Sequence, residues 1–96
     1  MIFYHGTDKE LKYLMVGSYI TRNFKDACKF GYRKAVLSKS SFVYVYKINI
    51  IEELEEFVKK DQKRDRAFII LIHINAELYY RYPTYQVPYK LKKFNL

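Results

Sequence analysis

The amino-acid sequence predicts an α+β fold, with a mostly antiparallel sheet and two helices. Three observations lead there. Phe42, Tyr44, Tyr46 and Ile48 alternate with Val43, Val45 and Lys47, which is the period of a strand. Phe24, Ala27, Cys28, Gly31 and Ala35 instead fall on one helical face. The strand-like runs are short and outnumber the helical ones, without the strict alternation of strand and helix that builds a parallel sheet. At 96 residues the chain is expected to form one domain, residues 1–96.

The elements follow in order. Ile2–His5 is a short apolar strand ended by the turn signal Gly6-Thr7-Asp8. Residues 8–16 are ambiguous, and Gly17 precedes a second short strand, Ser18-Tyr19-Ile20-Thr21. Asn23 is placed to cap a helix, with Asp26 three residues on in the capping-box position. The helix should run from about Phe24 to Val36 and stop near Ser38-Lys39-Ser40-Ser41. Phe42–Ile48 is apolar on both sides and is expected to be a central strand. Ile51, Leu54, Phe57 and Val58, with Glu and Lys between them, predict a short amphipathic helix. A charged turn at residues 62–66 leads into Ala67–Ile74, an apolar run expected to be a strand buried on both faces. Residues 76–82 give no clear signal. Tyr85–Phe94 alternates again, and Pro88, which has no N–H for a ladder, puts that strand at an edge or interrupts it.

Composition bounds the function. Half of the residues are hydrophobic and 19% are aromatic, with 11 Tyr, 7 Phe and no Trp, which excludes a disordered or low-complexity chain. The formal net charge is +8. Residues 1–50 carry nine Lys/Arg against three Asp/Glu, residues 51–77 five against seven, and residues 78–96 four against none. Both ends are therefore basic and the middle mildly acidic. Such a surface favours an acidic protein, a nucleic acid or a phosphate-bearing ligand, although solvated surface lysine accounts for the charge equally well. The single cysteine, Cys28, allows no intrachain disulfide, and no Cys/His cluster has zinc spacing. No metal is expected. The longest apolar run, Ala67–Ile72, is far shorter than the ~20 residues of a membrane span, and the first residues lack the pattern of a signal peptide. A soluble, cytoplasmic protein is expected. Its size and its Lys, Tyr and Ile content suit a phage, mobile-element or toxin-type gene.

The first third of the chain carries the functional signal. It reads Phe3-Tyr4-His5-Gly6-Thr7, then Gly17-Ser18-Tyr19-Ile20-Thr21, then Phe24, Asp26-Ala27 and Phe30-Gly31-Tyr32. Over roughly residues 2–36 this resembles the opening of the ADP-ribosyltransferase fold, in the His–Tyr–Glu branch that includes diphtheria-toxin-like enzymes and poly(ADP-ribose) polymerases. There a first strand ends in His-Gly-Thr or His-Gly-Ser. A second strand carries Tyr within Gly-x-Tyr-x-Thr/Ser, and a helix follows with an Ala and a further aromatic.

The resemblance implies NAD as substrate. His5 would donate to a ribose hydroxyl, Gly6 would bond the nicotinamide carboxamide through its backbone, and Thr7 would reach the second ribose. Tyr19 would stack on the nicotinamide, and Phe30 or Tyr32 would close the sandwich. Nearby positive charge, such as Arg22, Lys25 or Lys29, would offset the pyrophosphate. The third active-site position is Gln86 in Tyr85-Gln86-Val87, with Glu77 as the competing carboxylate. Gln86 can hydrogen-bond a ribose hydroxyl, but its amide is no general base. Taken singly, His5 reads as a turn residue and Tyr19 as a half-buried sheet residue; taken together and in order, they favour the transferase.

Other residues read as structure. Cys28 lies on the apolar helix face and is expected in the core. His73 lies in the apolar Ala67–Ile74 run, as an edge or satisfied core histidine. The carboxylates of residues 52–56 read as a solvated helix face. Tyr79-Tyr80-Arg81-Tyr82 and Tyr89-Lys90-Leu91-Lys92-Lys93-Phe94 interleave rings and cations as nucleic-acid binders do, and equally as edge strands guarded by lysine do. Two functions follow. The first is a mono-ADP-ribosyltransferase that moves ADP-ribose from NAD to a protein or nucleic acid. The alternative is a small basic binding protein without chemistry.

Overall fold

The structure is a computed structural model, and it describes residues 1–64 and 67–85. The fold is α+β. Its elements are β1 (Ile2–Thr7), β2 (Tyr13–Leu14), β3 (Tyr19–Ile20), α1 (Phe24–Ser38), β4 (Phe42–Asn49), a 3-10 helix (Glu52–Phe57), β5 (Val58–Lys60), β6 (Phe68–Ile70), β7 (Ile74–Asn75) and β8 (Glu77–Pro83).

β4 is the central strand of an antiparallel sheet ordered β1-β4-β8. Its two apolar faces have separate partners. Val43 and Val45 join Ala27, Cys28 and Ala35 of α1, with Tyr82 of β8. Tyr44, Tyr46 and Ile48 join Phe3, Leu14, Ile20, Ile50 and Ile70 on the opposite face. The second cluster is closed by another antiparallel sheet, ordered β3-β6-β5, and β2 pairs with β7 beside it. A bridge joins β1 to the residue that follows β3: Tyr4 N–H donates to the Thr21 carbonyl at 2.6 Å and Thr21 N–H returns to the Tyr4 carbonyl at 2.9 Å.

The helix begins where its sequence signals put it. The Asn23 side chain accepts from Asp26 N–H at 3.1 Å, and Ala27, Cys28, Gly31 and Ala35 are buried. It extends to Ser38, two residues past the expected end. Lys39 stops it in the left-handed region, at φ 58° and ψ 35°, with its N–H on the Ala35 and Val36 carbonyls.

Four expectations are corrected. Gly6 and Thr7 are not a turn: both continue β1, opposite Val45 and Tyr44 of β4. The second helix is of the 3-10 type and ends at Phe57. The spacing Ile51, Leu54, Phe57 is a period of three, and Leu54 N–H bonds the Ile51 carbonyl at 2.9 Å, the i→i+3 pattern of that helix. Val58 then starts a strand.

The Ala67–Ile74 run is not one buried strand. β6 ends at Ile70 because its partners β3 and β5 are only two and three residues long, and Leu71 beyond them is 41% exposed. His73 consequently lies outside any strand, stacked on the Tyr13 ring at 5.6 Å. The strand beside β4 is β8, in the stretch that gave no sequence signal. Tyr85 lies in a turn, and the rest of the expected Tyr85–Phe94 strand lies outside the described residues.

Candidate functional site

Gly6 of β1, Tyr19 of β3 and Phe30 of α1 line one groove of about 520 Å³, together with Tyr4, Leu37 and Ala67. That volume is in the range of small-molecule clefts. The groove lies where β1, β3 and α1 adjoin: Tyr4 and Gly6 come from β1, Tyr19 from β3 and Phe30 from α1. Three of the residues singled out in the sequence thus converge. Tyr19 is 38% exposed.

His5 does not line the groove: it is buried, and its side chain alternates to the face of β1 opposite Tyr4 and Gly6. Its Nδ1 lies 2.6 Å from the Tyr19 carbonyl oxygen. A carbonyl only accepts, so Nδ1 carries the proton and Nε2 is the accepting nitrogen. Burial pushes the His5 pKa down to about 4; the Tyr19 bond opposes this and the positive charge of Lys34 adds to it. The imidazole is therefore neutral at pH 7. This reverses the expected direction of its hydrogen bond: a ribose hydroxyl would donate to Nε2, not accept from it.

Thr7, Tyr32 and Glu77 are not among the residues that line the groove. Thr7 is buried, and its hydroxyl donates to the Asp8 carboxylate at 3.3 Å. Tyr32 is two positions from Phe30, about 200° round the helix, and packs against the Ala27, Cys28 and Val43 cluster instead. Of the two candidates for closing the sandwich, the geometry favours Phe30. Gln86 lies outside the described residues. Glu77 opens β8 opposite Lys47, and β4 separates that strand from β1.

Among the described residues the cations at the groove are Arg33, Lys34 and Arg64, in place of Arg22, Lys25 and Lys29. Arg22 lies with its guanidinium 5.8 Å from the Phe3 ring centre. Two of the groove cations cover the surfaces that matter most. Lys34 Nζ donates to the Gly6 carbonyl at 3.3 Å, and the Arg64 guanidinium sits 4.9 Å over the Tyr19 ring. Burial of its ammonium group lowers the Lys34 pKa; Asp8 opposes that and Arg64 reinforces it. Arg33, Lys34 and Leu37 follow Phe30 at three, four and seven residues, one helical face, so a helical projection centred on Phe30 identifies them. No such periodic signal exists for Arg64, which comes from the loop between β5 and β6.

Cys28 is buried in the helix-facing core as expected, and burial pushes its thiol up to about 12. Among the described residues no His, Cys, Asp and Glu group is arranged to hold a metal ion, and no helix is long and apolar enough to cross a membrane.

Comparisons with protein-family models, with curated proteins and with solved structures return no match for this chain.

Proposed function

We propose that the chain is a mono-ADP-ribosyltransferase that takes NAD. The observation that carries the reading is the convergence of Gly6, Tyr19 and Phe30 on one groove, with His5 bonded to the Tyr19 backbone. Nicotinamide would stack on Tyr19, with Phe30 across the groove, and its carboxamide would bond the Gly6 backbone. The ribose would donate a hydroxyl hydrogen to His5 Nε2. Cleavage of the bond between ribose C1′ and the pyridinium nitrogen sends its electron pair to nicotinamide, which leaves neutral. The acceptor atom then bonds C1′ and releases its proton to solvent water. Gln86, in its proposed role, holds the ribose without taking that proton.

Admitting NAD would need two side chains to move. Lys34 must leave the Gly6 carbonyl and Arg64 must leave the Tyr19 face. Both are long, exposed side chains, and both can turn toward the pyrophosphate as they leave. The same two contacts favour a second reading, a binding protein that keeps this frame without chemistry, because they occupy the surfaces that nicotinamide needs.

Incubation with adenylate-labelled NAD and a cell extract separates the two. Label should appear on a macromolecule, with stoichiometric release of nicotinamide. Tyr19→Ala and His5→Ala should abolish labelling while circular dichroism stays unchanged, and Tyr19→Phe, which keeps the ring, should retain it. Labelling that survives both alanine variants, or calorimetry showing no binding of NAD, would overturn the proposal.

A further inference from the structure

We infer that the aromatic surface beside the groove binds single-stranded nucleic acid. It is built by an irregularity in β8. The β4–β8 register shifts between Val45 and Tyr46: Val45 faces Tyr80 and Tyr46 faces Leu78, so Tyr79 is an extra residue without a partner. Side chains in a regular strand alternate, and only one of two neighbours reaches a given face. The bulge puts both Tyr79 and Tyr80 on the face that carries α1. Tyr79 lies 5.5 Å from Tyr4 and 5.5 Å from Phe24, and Tyr80 lies 5.8 Å from Phe24.

Both rings meet α1 at its first residue, Phe24, and both reach solvent. Tyr79 is 53% exposed and Tyr80 42%. Tyr4 belongs both to this cluster and to the groove, so the two adjoin at its ring.

Charge selects the occupant. The protein carries +8, Lys47 Nζ lies 5.7 Å over the Tyr79 ring, and Arg33, Lys34 and Arg64 ring the groove at the other end. Exposed rings flanked by cations suit a partner with flat π-faces on an anionic backbone. In a duplex those faces are already stacked on one another, whereas in a single strand they are free to stack on tyrosine. An acidic peptide would use the cations and leave the rings without a role. The further step, that this strand is the acceptor of ADP-ribose, rests on the proposed function; the binding itself does not.

The test needs no NAD. The full chain is titrated into a fluorescein-labelled oligothymidylate of about 12 nucleotides, within the usual span of one such domain, and binding is read by anisotropy. A duplex of the same length and polyglutamate serve as competitors. The expected result is tighter binding of the single strand than of either competitor, weakening linearly with log salt. The Tyr79→Ala/Tyr80→Ala variant should bind at least about tenfold more weakly, and Tyr79→Phe/Tyr80→Phe should bind as the native chain does. Equal affinity for single strand and duplex, effective competition by polyglutamate, or unchanged affinity in the alanine variant would each overturn the inference. The duplex comparison uses the native chain and decides the matter even if the alanine variant does not fold. Strand binding without transfer of label from NAD would count against the transferase alone.

Discussion

Gly6 and Ala27 touch backbone to backbone: a methyl group built on the Gly6 Cα would overlap the Ala27 carbonyl oxygen. β1 and α1 approach so closely there that no side chain fits between them. Gly31 completes the contact, since a Cβ on it would lie 2.8 Å from Val43 Cγ1 and 3.0 Å from Thr7 N. The glycine of His-Gly-Thr thus has a packing role of its own, apart from any ligand. Gly6→Ala should force the helix off the sheet and destabilise the protein by about 3 kcal/mol, the upper part of the range for overpacking. Urea unfolding checks it: the midpoint should fall sharply. A near-native midpoint would mean that the contact yields.

The His5 pKa makes stability depend on pH. It is about 4 in the folded chain, against 6.5 for an ordinary histidine. Between those values the unfolded chain binds a proton that the folded chain refuses, so stability rises with pH across this window. Stability is highest above about pH 6.5, falls progressively as pH drops from 6.5 to about 4, and changes no further on this account below 4. The shift corresponds to roughly 3 kcal/mol. His5→Asn has no titrating group, so its urea midpoint should fall less than that of the native protein between pH 7 and pH 4.

Cys28 should be unreactive in the native protein. Burial holds its thiol near 12, so almost no thiolate exists at pH 8. A thiol-specific chromophoric reagent should show negligible modification under native conditions and one thiol per chain after denaturation. Fast native labelling would mean that α1 opens readily from the sheet.

Asn23 should stabilise the start of α1 by about 1 kcal/mol through its bond to Asp26 N–H. Asn23→Ala should lower the thermal midpoint, and Asn23→Asp, which keeps an acceptor oxygen at the positive end of the helix, should restore it.

Local patterns were legible wherever one residue type does one local job. Asn23 announced the helix start because a cap is satisfied within three residues. The two faces of Phe42–Ile48 announced a central strand because each had to be buried. Reading failed where a partner distant in sequence decided the outcome. Gly6 looks like a turn residue, yet β4 and α1 hold it extended. Ile51, Leu54 and Phe57 look alike in either kind of short helix. The bulge at Tyr79 exists only as a mismatch between two strands. At the candidate site His5, Gly6, Tyr19 and Phe30 were visible as letters in order, but Arg64 was not, because it reaches Tyr19 across a loop.

By itself, the sequence determined the elements that close on their own hydrogen bonds and apolar periods: α1, β4, the strand character of β1 and β3, and the basic charge. Only the tertiary structure decided which nitrogen of His5 carries the proton, which of Phe30 and Tyr32 faces the groove, and which cations stand over Gly6 and Tyr19. Those properties depend on burial and on contacts between residues far apart in the chain, and no local pattern encodes a contact whose other half lies elsewhere.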